Sequence, residues 1–246
     1  VGGKKYYFSP SDGKAHVGWL TLDGKKYYFN VSGVMLSDTV ASVDGITYKF
    51  DSEGVASETS LEDYKVEGNY VKVYDAKNSK YYYMEKQFLE HPGIADGKVS
   101  DLDLLAAACD AEAGDQGVVG MEAVALCVLN CTIDEYKNFP SQIRYVVYQG
   151  KPTQYAVVTD GALLKRLQGQ FEDRTNAYAA AKAAMEIFNE YVNHGTKRVL
   201  PGFKTKDFNY KFFMTPTAFK AQNLNFSKLE YEQYKGHVFF VDWISG

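Results

Sequence analysis

The chain has 246 residues, a formal net charge of −4 and a hydrophobic content of 46%. That length accommodates one large domain or two small ones with a substantial core, and the weak negative charge argues against nucleic acid as a partner. No stretch approaches the roughly 18 to 20 apolar residues that a membrane-spanning helix needs.

Aromatic residues are abundant, with 20 Tyr and 15 Phe against 2 Trp. Tyr-rich, Gly-punctuated sequence suits half-exposed strands and surfaces that stack on carbohydrate. Residues 1–60 are repetitive: GKKYYF begins at Gly3 and again at Gly24, and GITYKF begins at Gly45, a period of 21 residues. Each unit reads as a β-hairpin whose turn carries Asp-Gly or a similar pair. Hairpins this small cannot bury a face alone, so stacking into a β-solenoid is expected.

The segment from Gly18 to Phe29, GWLTLDGKKYYF, resembles the choline-binding or glucan-binding type of cell-wall-binding repeat. The resemblance implies that Trp19, Tyr27 and Tyr28 belong to aromatic cages for choline, or stack on wall polysaccharide. The next unit carries Thr39-Val40 where Gly-Trp is expected. Without a second indole the cage is incomplete, because cation–π binding depends on enclosing ring faces. The alternative is a stapling solenoid without a ligand.

Residues 61–98 read as a linker or a degenerate repeat, with one more hairpin turning around Ala76-Lys77-Asn78-Ser79 and loop punctuation at His91-Pro92-Gly93. A second domain, 99–246, is helical in texture. Ser100 is placed to N-cap a helix, with Asp103 three residues on in a capping-box-like start. Gly114 is expected to stop that helix, which puts Glu112 in its last turn. There the negative end of the helix dipole disfavours a carboxylate. The helical neighbours of Glu112 are Cys109, Ala108 and Leu105, so it projects from the apolar face. Both effects raise a carboxyl pKa, as a general acid working near neutral pH requires. The plainer alternative is a Glu at a frayed end that points to water.

Val118, Met121, Ala125, Val128 and Leu129 form a helical stripe ending near Asn130. A long helix is expected to be N-capped by Thr175 and closed by Gly195, with His194 satisfying its C-terminal dipole. The tail from Phe208 to Trp243 reads as loops and short strands, with GHVFFVDWI as a terminal strand. Cys109, Cys127 and Cys131 have neither a CxxC spacing nor suitably spaced His partners, so they are read as buried small hydrophobes, with no metal site and no cofactor.

The stretch AEAGDQGVVGMEAVALCVLN, from Ala111 to Asn130, resembles the opening motif of the SleB-type cell wall hydrolases, the family of spore-cortex-lytic enzymes. IRYVVYQGKPTQYAVVTDG, FFMTPTAF and KGHVFF follow in the family's order. The resemblance implies an α+β chain whose second part is a mainly helical, lysozyme-like domain with a small β element. It further implies cleavage of peptidoglycan glycan strands, with Glu112 as the acidic catalyst. Gln154, Tyr155, Asp160, Phe212, Phe213 and His237 match its substrate-binding motifs. Gln116 stands where many members carry Glu, and Met214-Thr215 where Asn is common.

Hydrolysis by inversion or retention usually uses two carboxyl groups, roughly 5 or 6.5–9.5 Å apart. Asp110 lies about 160° round the helix from Glu112. Asp115 follows the stop glycine, Glu122 falls within an apolar stripe, and Asp160 can equally shape a turn. A lytic transglycosylase needs only one acid, because the muramic acid 6-hydroxyl attacks intramolecularly. The expected activity is therefore cleavage between N-acetylmuramic acid and N-acetylglucosamine by lytic transglycosylation. The alternatives are a hydrolytic muramidase and a non-catalytic wall-binding protein with a decayed enzyme domain. The chain opens inside a repeat, and it is read as a fragment of a secreted, cell-wall-associated protein whose export signal lies outside.

Overall fold

The structure is a computed structural model that describes residues 3–244. In chain order the strands are β1 (Gly18–Leu22), β2 (Lys25–Phe29), β3 (Thr39–Val43), β4 (Ile46–Phe50), β5 (Ala56–Glu58), β6 (Lys65–Glu67), β7 (Tyr70–Asp75), β8 (Lys80–Glu85), β9 (Phe212–Met214), β10 (Tyr231–Tyr234) and β11 (His237–Phe240). The helices are α1 (Gln87–Glu90), α2 (Asp101–Ala113), α3 (Gly117–Cys131), α4 (Ile143–Val147), α5 (Ala162–Leu167), α6 (Arg174–His194) and α7 (Pro216–Lys220). They fall into two units, Val1–Val99 with Pro140–Gln154 and Ser100–Phe139 with Tyr155–Gly246.

The first unit is built on hairpins. Asp23 and Gly24 between β1 and β2 have φ of 49° and 77°, and Asp44 and Gly45 between β3 and β4 have 52° and 83°. Two successive positive φ values define the turn whose twist matches that of paired strands, so the Asp-Gly pairs of the repeat set its geometry. β1 and β2 form a sheet of their own. The Trp19 ring packs against Tyr28 at 5.2 Å, Tyr48 at 4.9 Å and Phe50 at 6.2 Å, linking one hairpin to the next over a core of Leu36, Ala41, Val43, Phe50 and Tyr74.

The hairpin β3–β4 joins a six-stranded sheet with β5, β6, β7 and β8. The parallel partner of β3 is β7, through Ala41↔Tyr74 and Ser42↔Asp75, which satisfies backbone groups that an isolated hairpin leaves open. β7 and β8 turn at Ala76–Ser79, as the sequence pattern predicts.

Residues 140–154 pack in this unit, although sequence reasoning assigns them to the second domain. Tyr148 accepts a backbone bond from Glu85, and Gly150 donates one to Tyr83, both at 2.7 Å. The Tyr148 hydroxyl also lies 2.7 Å from His91 Nδ1. Ile143, Tyr145, Val146 and Val147 bury the apolar face of α4.

The second unit is centred on α2, α3 and α6. α2 buries Ala106, Ala107, Ala108 and Cys109, and α6 presents Ala177, Ala180, Ala181, Ala184 and Phe188. These small side chains let the helix backbones approach closely. All three cysteines are free and buried. Ser100 caps α2 by accepting from the Asp103 N–H at 3.1 Å. Gly195 closes α6 with φ 67° and its N–H on the Tyr191 carbonyl at 2.8 Å.

Two expected helix ends differ. α6 is capped by Asp173, which accepts from the Asn176 N–H at 3.1 Å, rather than by Thr175, which lies inside the helix. Gly114 has φ −55° and continues into a short 3₁₀ turn, and the left-handed break falls on Gly117 at φ 74°. Glycine at 114 answers a close approach instead: a Cβ there would lie 2.8 Å from Glu172 Oε2.

The irregular tail is held by Arg198. Its guanidinium bonds Asp207 at 2.9 and 3.0 Å and Asn130 at 2.7 Å, and stacks 3.8 Å over Tyr191. Asn130 in turn donates to the carbonyls of Phe208 and Tyr210. β10, β11 and β9 form a small antiparallel sheet in that spatial order. Among the described residues no helix is long and apolar enough to cross a membrane.

Candidate active site around Glu112

Glu112 sits in the last turn of α2, the place the cap at Ser100 and the helix length give it. It is half-buried. Burial, reinforced by the charge of Asp160 and opposed by a hydrogen bond from the Val157 backbone, pushes its carboxyl up to about 7. A carboxyl enclosed by protein yet still reached by solvent holds a proton near neutral pH and can give it away.

Asp160 supplies the neighbouring negative charge. It is exposed, and its Oδ1 accepts from the Ala162 N–H at 2.8 Å, bracketing Gly161 at φ 86°. The turn-shaping role open to this residue is therefore occupied, and its charge adds to the upward push on the Glu112 carboxyl. Tyr155 is only 6% exposed. Burial drives its phenol far above the usual range, with Cys131, Cys127 and Glu112 adding in the same direction. It is thus a supporting wall rather than an open stacking platform.

The ring of Phe213 continues that wall. It packs 6.0 Å from Tyr155, 5.2 Å from His237 and 5.9 Å from Phe239. Burial lowers the His237 pKa, with the charge of Asp115 opposing, so its ring is neutral at pH 7. Its Nδ1 is buried without a partner among the described residues. Phe212 faces the other way, because successive strand residues alternate. It packs on Phe240, Trp243 and Phe139, within the small β core.

Gln154 belongs to the first unit. Its amide makes a long 3.5 Å bond to the Pro152 carbonyl. The structure places Glu112, Tyr155, Asp160, Phe212, Phe213 and His237 in one unit, with Phe212 packed into the small β core, and Gln154 at the end of a segment of the other.

The other carboxyls near the motif divide clearly. Asp110 is fully buried and accepts from Arg166 Nε at 2.9 Å and from the backbone N–H groups of Glu172 and Asp173 at 3.0 Å each. It staples α2 to the segment before α6. Glu122 is 8% exposed and its pKa is raised by burial alone. Sequence reasoning overlooked the Val157 N–H, which no side-chain pattern announces. It singled out Gln116 only as a departure from the family pattern; in the structure its Oε1 accepts from the Gly236 N–H at 2.7 Å and its carbonyl accepts from Lys235. That strap fixes the turn leading into His237.

In the repeats, Trp19 and Tyr28 are cross-strand partners, whereas Tyr27 pairs with Leu20. Alternation thus places Tyr27 on the opposite face from Trp19 and Tyr28. Among the described residues no group of three His, Cys, Asp or Glu side chains could hold a metal ion.

Comparison with known proteins matches two separate stretches of the chain. A choline-binding repeat model matches residues 16–59. Among solved structures, the choline binding domain of Spr1274 in Streptococcus pneumoniae is 27% identical, over 24% of this chain and 89% of that one, with a TM-score of 0.23. Choline binding protein F from Streptococcus pneumoniae, in the presence of a peptidoglycan analogue, is 20% identical over 34% of this chain, with a TM-score of 0.22. This chain spans 29% of the length of that protein. No curated protein matches the chain. The model of the Cell Wall Hydrolase family covers residues 115–240, beginning just after Glu112 and taking in Asp160, Phe213 and His237. That match embraces more than half of the sequence, and the chain belongs to the Cell Wall Hydrolase family.

Proposed function

We propose that the second unit, a SleB-type and lysozyme-like domain, cleaves peptidoglycan glycan strands between N-acetylmuramic acid and N-acetylglucosamine as a lytic transglycosylase. Glu112 is the single general acid and base. The observation that carries this reading is the Glu112 carboxyl, half-buried at a helix end and protonated up to about pH 7. Its proton passes to the glycosidic oxygen as the bond from that oxygen to the muramic acid C1 breaks. The 6-hydroxyl of the same muramic acid then attacks C1, and its proton returns to the Glu112 carboxylate. The product carries a 1,6-anhydro ring, and the enzyme ends as it began. High effective molarity of the internal hydroxyl replaces an activated water.

Phe213, backed by Tyr155, gives the sugar an apolar wall, and neutral His237 offers a ring nitrogen to a hydroxyl or N-acetyl group. Phe212, packed on Phe240 and Trp243, is assigned no contact with substrate in this reading, and Gln154 is given no role in it. The repeats, with Trp19 and Tyr28 on one face, hold the secreted protein to the wall through choline or polysaccharide.

Asp160 favours a second reading, hydrolysis, because it places another carboxylate beside Glu112. Mass spectrometry of muropeptides released from purified sacculi separates the two. Anhydro ends, one water lighter than reducing ends, are expected; reducing ends alone would assign the enzyme to hydrolysis. Binding to sacculi without release of any fragment, from several wall types, would leave only an adhesive protein.

A further inference from the structure

The first unit contains a groove whose lining does not include Trp19, Tyr27 or Tyr28. One edge of β7 is shared by two strands: β6 pairs with residues 70–72 and β3 with Tyr74 and Asp75. β6 and β3 therefore meet end to end along that edge, and the start of each strand borders a gap in the sheet. The gap opens into a groove of about 320 Å³. Asp38, Thr39, Lys49, Asp63 and Lys65 line it, and an adjoining recess adds Lys72 and Tyr81.

We propose that this seam between β3 and β6 is a binding site for an uncharged, hydroxyl-rich saccharide. It lies where the second repeat carries Thr39-Val40 in place of Gly-Trp. The lining is balanced in charge, with Asp38, Asp51 and Asp63 against Lys49, Lys65 and Lys72. Lys49 and Asp63 are paired with each other, and Lys72 is paired with Glu67. Such a surface offers no net attraction to an ion, but it offers both donors and acceptors, as sugar hydroxyls require.

Two groups retain unused capacity. The Lys65 ammonium has one acceptor, the Asp38 carbonyl at 3.4 Å. Among the described residues the Asp38 carboxylate takes no hydrogen bond or ion pair. Asp38 is also held at φ 48°, a region that a non-glycine residue enters at a cost. Tyr81 is 44% exposed, and its hydroxyl donates to Thr39 Oγ1 at 3.2 Å. Together they form a concave, polar, partly aromatic surface that presents an ammonium donor and a carboxylate acceptor. A quaternary ammonium group is poorly served here, because Lys72 already stands over the Tyr81 ring at 4.9 Å.

The full chain carrying Glu112→Gln, which removes cleavage as a complication, is titrated with chitotetraose while backbone amide shifts are followed by NMR. The proposal does not depend on the role of Glu112, and the amides of Thr39, Lys65 and Tyr81 are expected to move as one site. Adding Lys65→Ala, or Asp38→Asn (which keeps a residue tolerant of positive φ), is expected to weaken that site about tenfold, as loss of a charge-assisted hydrogen bond does. Raising salt is expected to change it little. Shifts confined to the second unit, or unchanged affinity in both variants, would overturn the assignment. So would stronger perturbation of the same amides by phosphocholine than by the sugar.

Discussion

Asp160 lies close enough to Glu112 for its charge to hold the Glu112 proton in place, second only to burial as a cause of the raised pKa. The sign of its removal follows. Asp160→Asn makes ionisation of Glu112 easier, so the alkaline limb of the activity profile moves to lower pH. The expected displacement is about half a unit to one unit, as for an exposed neighbouring charge. A profile of kcat/KM against pH measures it. Were Asp160 instead the base of a hydrolytic reaction, the same substitution would cost about 10² to 10⁴ in rate at every pH.

Glu112→Gln is expected to abolish release of glycan fragments while leaving sedimentation with sacculi unchanged, since the repeats belong to the other unit. It also has a signature in stability. The folded pKa of about 7 exceeds the ordinary value of 4.5. Between these values the folded state keeps a proton that the unfolded state has lost, so stability falls as pH rises from about 4.5 to about 7. The variant loses this dependence. At pH 8 it is expected to be more stable than the parent by about 3 kcal/mol, and at pH 4 nearly equal to it. Denaturant unfolding at both pH values tests the pair of expectations.

Asp110, two residues before Glu112, has a structural task only. Its buried carboxylate is matched by Arg166 Nε and two backbone donors, and Arg166 also bonds Glu172 at 2.7 Å. Arg166→Met leaves a buried charge short of its main partner, which costs about 3 kcal/mol or more. Loss of stability is expected together with faster proteolysis between α5 and α6. Retained stability would mean that the two backbone donors alone satisfy Asp110.

What was legible in the sequence was local. Ser100 with Asp103, the Asp-Gly turns and Gly195 each encode a few dihedral angles and one or two hydrogen bonds, and all appear where the pattern puts them. Position in a helix likewise gave Glu112 its dipole and its apolar neighbours. What escaped was tertiary. Nothing near Gly114 announces that Glu172 must pass so close to it, so its glycine looked like a stop. Asp173 and Thr175 are both good caps, and the backbone bond to Asn176 decides between them. Residues 140–154 follow the motif order of the catalytic domain, yet their tyrosines bury themselves against β8 and His91. Phe212 and Phe213 cannot be told apart until the strand face is known.

Gln116 shows how a departure from a family pattern can be a local adaptation. Its amide nitrogen donates to Asp115 Oδ1 at 2.6 Å while its amide oxygen accepts from the Gly236 N–H at 2.7 Å. A glutamate there could keep the second bond, but it would set a carboxylate against that of Asp115. The neutral amide serves both partners at once. Gln116→Glu is therefore expected to cost about 1 kcal/mol at pH 7. Gln116→Ala removes the strap from the turn before His237 and is expected to raise KM for glycan fragments severalfold, with kcat less affected. Steady-state kinetics on soluble fragments distinguish the two substitutions. A fall in kcat alone, with KM unchanged, would place Gln116 at the reacting bond rather than at the hinge of the sheet.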